Sequence, residues 1–198
     1  MTAARRWLTV GGAVVTVLVL DQLSKWWAVS RLCDAPYCPE YLDRTIDLFW
    51  TLRFRYAENT GMAFSKGSGG GRLIALLVVA IVVVLVLFAR RMTSTLQLVL
   101  VGVVIGGALG NLVDRIFRAN AGFLSGGVVD FIDVQWWPIF NVADACVVVG
   151  GIALALTGLR EPPDRDGADD GDGDVPPTNA DVVDEMTAPE ASTSDRSG

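Results

Sequence analysis

Two short segments late in the apolar part of the chain each carry one carboxylate, Val128-Val129-Asp130-Phe131 and Phe140-Asn141-Val142-Ala143-Asp144. Both border hydrophobic stretches of membrane length. A charge at the centre of such a stretch costs roughly 2.5–3.5 kcal/mol even on the most lenient insertion scale, so each Asp is a functional candidate by default. Two close carboxylates cannot both ionise cheaply, so one keeps a proton near neutral pH while the other stays charged, which supplies an acid and a base together. The chain has no histidine. That excludes Ser-His-Asp and Cys-His catalysis and argues against a catalytic zinc, and no metal or cofactor is expected.

Other polar residues sit in similarly apolar surroundings. Asp21 and Lys25 are four apart with Ser24 beside them, so acid and base can neutralise each other within a helix bundle. Asn59-Thr60-Gly61 can turn the chain, and the Asn59 amide can hold a peptide backbone or serve an ordinary polar turn. Gly107, Asn111 and Asp114 share one helical stripe and Arg115 follows, a cluster that must be paired or serve a wet cavity; Asp114 and Arg115 binding each other is one solution. Asn141 and Asp144, three apart, share a face at the start of a helix, so that Asp144 can turn toward Asp130. Asp130 follows two valines, which predicts extended backbone. On a strand, Asp133 then points to the opposite face, and only one of the two faces the bundle.

Four apolar runs approach the ~20 residues that span a bilayer: about Trp7–Val29, Leu73–Ala89, Thr93–Val113 and Val142–Leu159. The first exceeds the usual signal-peptide core and no clean cleavage site follows it, which predicts an uncleaved anchor. Gly102, Gly106 and Gly110 form a smooth stripe that a neighbouring helix can approach closely. From Ile46 to Tyr56 apolar and polar residues alternate, broken only by Phe49, which predicts a strand. Arg5 and Arg6 before the first span and Arg90 and Arg91 between the second and third predict that both termini are cytoplasmic. Twelve of the 22 acidic residues lie from Arg160 onward, against three of the 16 basic ones. That segment has too little apolar surface to offset its chain entropy, which predicts a disordered acidic tail over 161–198 after a membrane-embedded domain over 1–160. Cys33 and Cys38 fall in the outer loop, where an oxidising environment permits a disulfide; Cys146 reads as a buried small hydrophobe.

Asp21 and Lys25, Asn59-Thr60-Gly61-Met62-Ala63-Phe64, Gly106-Gly107-Ala108-Leu109-Gly110-Asn111-Leu112-Val113-Asp114-Arg115, Val128-Val129-Asp130-Phe131 and Phe140-Asn141-Val142-Ala143-Asp144 together resemble, in order, the motifs of the lipoprotein signal peptidase family, also called signal peptidase II. The resemblance covers about residues 10 to 155. It implies an all-α membrane protein of four transmembrane helices with a small extracytoplasmic β-sheet, about residues 41–66. It also implies a bacterial inner-membrane aspartyl endopeptidase that removes the signal peptide from prolipoproteins carrying diacylglycerol on the lipobox Cys. Carried over by motif, Asp130 and Asp144 form the catalytic dyad, while Asp21, Lys25, Asn59, Gly61, Gly107, Asn111, Asp114, Arg115, Asn141 and Ala143 line or support the site. The diacylglyceryl chains are expected to stay in lipid. Implied partners are prolipoprotein substrates, membrane lipid and the cyclic-peptide inhibitor globomycin; a monomer with no nucleic-acid partner is expected. Without the resemblance, the same charged residues suit a small ion or proton transporter, which would need them spread across the bilayer, or a scaffold acting through its acidic tail.

Overall fold

The computed structural model describes residues 1–33, 44–61, 70–118 and 123–158. The expected tail at 161–198, and Cys38, the candidate partner of Cys33, lie outside them. Among the described residues four helices and three strands follow in the order α1 (Ala3–Leu32), β1 (Ile46–Phe49), β2 (Leu52–Asn59), α2 (Gly70–Ala89), α3 (Thr95–Phe117), β3 (Val128–Asp133) and α4 (Val142–Gly158). The first three helices are long and apolar enough to cross a membrane, and α4 is an apolar helix of 17 residues.

α3 is the central helix. Half of its apolar window is buried, 50% against 11% for α2, and α1, α2 and α4 all pack on it. The glycine stripe faces α1: a Cβ on Gly102 would lie 2.6 Å from the Cβ of Ala13, and one on Gly106 2.8 Å from that of Val17. Only glycine permits so close a helix approach. α3 also runs on to Phe117, past the expected end at Val113. The polar residues Asn111, Asp114 and Arg115 therefore lie within the helix, because partners inside the protein satisfy them and nothing forces the helix to stop.

Two apolar cores hold the ends of the bundle. Val10, Ala89, Leu98, Val101 and Ile105 join α1, α2 and α3, near the point where the Arg6 guanidinium donates to the carbonyl of Arg90. The basic residues at the start of α1 and in the α2–α3 link are thus at one end. At the other end Ala28, Leu32, Val129 and Phe131 seat the sheet on α1. The rings of Trp27 and Phe54 meet edge to face at 5.1 Å between centroids, and those of Phe54 and Phe131 are tilted at 53° with centroids 6.0 Å apart.

The sheet is antiparallel in the order β1-β2-β3. The single strand expected over Ile46–Tyr56 does not form. The chain instead turns at Trp50-Thr51, with Phe49 opposite Leu52 and Trp50 at φ 51°. Folding back pairs a strand edge that one extended segment would leave open. The break in alternation at Phe49 coincides with the register shift between Asp47 and Phe49. The expected β segment at 41–66 is realised over 46–59, and residues 41–43 and 62–66 lie outside the described ones. β3 is extended as expected, placing Asp130 opposite Ala57 and Val128 opposite Asn59, with an irregularity in β2 between Phe54 and Ala57. A bulge of this kind re-aims side chains. Here it leaves Asn59 on the strand position diagonal to Asp130.

Candidate active site

The start of α4 is built by its own sequence. Asn141 accepts from the Asp144 N–H through Oδ1 at 2.9 Å, and Asp144 Oδ2 accepts from the Asn141 N–H at 3.2 Å. This reciprocal arrangement satisfies two orphan donors of the helix end and holds the Asp144 carboxyl beside the first turn. A third donor, the Ala143 N–H, goes to Asp21 Oδ1 on α1 at 3.0 Å. Gly107 lets α4 come this close, since a Cβ there would lie 3.0 Å from Val147 and closer still to the Ala143 carbonyl.

Two asparagine amides join the carboxylates across elements. Asn141 Nδ2 donates to Asp130 Oδ1 at 2.7 Å, and Asn111 Nδ2 donates to Asp144 Oδ1 at 2.7 Å. The amides also meet each other, Asn141 Nδ2 donating to Asn111 Oδ1 at 3.1 Å. Behind them Lys25 reaches Asp21 Oδ2 at 2.9 Å, Asp114 Oδ2 at 3.0 Å and Asn111 Oδ1 at 2.9 Å, with both the Lys25 and Asp21 side chains fully buried. The expected Asp21–Lys25 ion pair is thus part of a larger hub. An ammonium only donates, so it fixes Asn111 Oδ1 toward α1 and leaves Nδ2 to point at Asp144.

A pairing of Asp114 with Arg115, one of the solutions open from the sequence, is not how Asp114 is satisfied. Successive helical positions do not face each other, and Asp114 instead accepts from Lys25, from the Val129 N–H at 3.2 Å and from Arg118 Nε at 3.2 Å. Arg115 donates to the Gly126 carbonyl at 3.4 Å and lies within electrostatic reach of Asp130, Asp114 and Asp144. Gly61 takes φ 75°, and its N–H donates to Asn59 Oδ1 at 3.0 Å. The Asn59 side chain also hydrogen-bonds Asp130.

Asp130 is 2% exposed. Burial first, and the Asp144 charge second, push its carboxyl up to about 7 against hydrogen bonds from Asn141 and Asn59. Asp133, on the opposite face of β3 as expected, is a different case. Its burial works against the charge, but Arg53 Nη2 and Nε both reach its Oδ2 at 2.7 Å and the Gln135 N–H donates at 2.7 Å. Together these hold the Asp133 carboxyl below the usual carboxylate range.

Asp144 lines a cavity of about 390 Å³ together with Asn59, Gly61, Asn111 and Arg115, walled by Ile74, Ala75 and Val78 of α2, Val104 and Ala108 of α3, and Val147 and Val148 of α4. One end is polar and the rest apolar. Asp130 and Asn141 do not line it, being buried behind Asn111 and Asp144, and Asp21, Lys25, Asp114, Gly107 and Ala143 stand behind it as support. Sequence reasoning missed Arg118, four residues after Asp114 and so on the same helical face, and Gln22, whose Nε2 donates to Asp21 Oδ2 at 3.1 Å and the Gly110 carbonyl at 3.2 Å. Cys146 is half-buried and free rather than fully enclosed.

The family model described as signal peptidase (SPase) II matches residues 13–160. The chain belongs to the signal peptidase II family. As a member of the signal peptidase II family it is an aspartic endopeptidase, of the lipoprotein signal peptidase type. It is 41% identical over 144 residues to the lipoprotein signal peptidase of Mycobacterium avium (strain 104), covering 73% of this chain and 75% of that protein. It is 41% identical over 156 residues to that of Rhodococcus jostii (strain RHA1), covering 77% and 75%. A solved bacterial membrane enzyme superposes with a TM-score of 0.62 at 25% identity, covering 78% of this chain and 94% of that one.

Proposed function

We propose that this member of the signal peptidase II family cleaves diacylglyceryl-modified prolipoproteins before the lipidated Cys, using Asp130 and Asp144 as a water-activating dyad. What carries the reading is the pair of short amide bridges, Asn141 to Asp130 and Asn111 to Asp144, the second of which lines the polar end of an otherwise apolar cleft while the first is buried directly behind it. Asp130, raised to about 7 by burial and by Asp144, holds the proton and leaves Asp144 as the base. Asp144 takes a proton from water as its oxygen attacks the scissile carbonyl, and Asp130 passes its proton to the carbonyl oxygen. In the second step Asp144 returns its proton to the departing amine and Asp130 recovers one from the tetrahedral diol. Both carboxyls end as they began. Arg115, Asn59 and Asn111 border the cavity and supply positive potential and donors for the substrate backbone and the developing oxyanion.

The domain is residues 1–160, with four membrane passes counting α4. Both termini are cytoplasmic, supported by the Arg6–Arg90 contact that gathers the basic residues at one end. The dyad lies near the outer face of the bacterial inner membrane, supported by Trp27, Trp136 and Trp137 at the sheet end, since tryptophan concentrates at membrane interfaces. The sheet lies on the outer leaflet, and globomycin competes for the same cleft. The transporter alternative is not favoured by the family match or by the gathering of Lys25, Asp114, Asp130 and Asp144 in one network.

The test is cleavage of a synthetic diacylated prolipoprotein by purified protein. Asp130→Asn and Asp144→Asn should each abolish turnover while remaining folded, whereas Asp133→Asn should cleave normally. Substantial turnover by either dyad variant sinks the assignment.

A further inference from the structure

A second cavity, of about 510 Å³, meets the first at Asp144 and Val148. Its other walls include Trp136, Trp137 and Phe140 from the β3–α4 link and Val149 from α4. The link is held firmly: the N–H groups of Phe131 and Ile132 donate to the Phe140 carbonyl at 3.0 and 2.8 Å, and the Phe140 N–H donates to the Ile132 carbonyl at 3.1 Å. The Trp136 and Trp137 rings meet edge to face at 6.4 Å between centroids, yet they are 74% and 60% exposed. A pre-formed aromatic wall beside a reactive carboxylate is more than interface anchoring needs.

The chemistry of the walls decides between occupants. Apart from Asp144 and the indole N–H groups, these side chains have nothing to hydrogen-bond. A peptide laid along them would find no partners for the N–H and C=O groups it turns toward these walls, which is costly. A hydrocarbon chain brings no such groups and gains by leaving water for apolar walls. The first cavity is the reverse, since Asn59, Asn111 and Arg115 give it the partners a backbone requires.

We propose that the groove formed by Trp136, Trp137, Phe140 and Val149 is an acyl-chain subsite that holds one fatty-acyl chain of the substrate's diacylglyceryl group. This rests on the dyad and substrate reading above, and it revises the expectation that both chains stay in bulk lipid. It also orients the substrate. The lipidated Cys side of the scissile bond faces the β3–α4 link, and the signal-peptide side lies in the first cavity against α2.

The experiment uses purified full-length protein in micelles and two synthetic prolipoprotein peptides, one dipalmitoylglyceryl and one dibutyrylglyceryl. The long-chain substrate should have the lower KM with wild-type protein. Trp137→Ala, which opens the groove, and Val149→Trp, which fills it, should each raise KM for the long-chain substrate by roughly tenfold with kcat unchanged. Neither should change KM for the short-chain substrate by more than about twofold. Leu156→Trp, on an exposed part of α4 away from the groove, should leave both alone. A wild-type enzyme indifferent to chain length overturns the subsite, and so do groove variants that alter both substrates alike, as bulk lipid in the groove or a purely structural wall would produce. Turnover by Asp144→Asn would instead sink the dyad reading, whatever the chain-length results.

Discussion

Asp130 resists ionisation because it is buried and because Asp144 already carries charge nearby, and the proposed mechanism needs Asp130 protonated. Its group is protonated below a value of about 7, so kcat/KM should hold at lower pH and fall as pH rises through that value. A profile that rises through neutrality would reverse the assignment of acid and base. Asp133 behaves in the opposite sense. Its folded value is depressed by Arg53 and Gln135, so its stabilisation is present above the unfolded value of about 4 and is lost as pH falls below it. Thermal unfolding in detergent should therefore show wild type losing more stability than Asp133→Asn between neutral and acid pH. The two aspartates are three residues apart on one strand, and strand alternation alone assigns one to the bundle and the other to Arg53.

Among the elements, α3 carries most of the architecture because α1 and α4 both approach its glycines closely. Gly106→Leu forces a side chain into Val14 and Val17 of α1, an overpacking expected to cost roughly 1–3 kcal/mol, read as a lowered Tm. The glycine stripe, the extended backbone around Asp130 and the shared face of Asn141 and Asp144 at the start of α4 were all legible in the sequence, since each depends on spacing within a few residues. The hairpin was not. Trp50 and Thr51 are poor turn residues by composition, and only the broken alternation at Phe49 hinted that the strand folds back. The true partners of Asp114 were also hidden, because Lys25 and Val129 are distant in the chain and come together only when α1, α3 and β3 pack.

At the scale of the molecule, a chain ending at residue 160 is expected to cleave prolipoprotein at a rate close to full length, measured on the same synthetic substrate; loss of cleavage would favour the scaffold reading. The order of the motifs and the apolar runs determined the family, the four helices and which residues are chemically able to act, because those properties are written in residue type and local spacing. How far burial pushes up the Asp130 carboxyl, which amide points at which Asp, and where two cavities meet on one side chain were decided only by the tertiary structure. Ionisation depends on burial and on neighbouring charge, and in this chain both come from residues far apart in sequence. Asp130 and Asp144 are alike as residues; they differ because one is buried on β3 and the other opens onto the cleft.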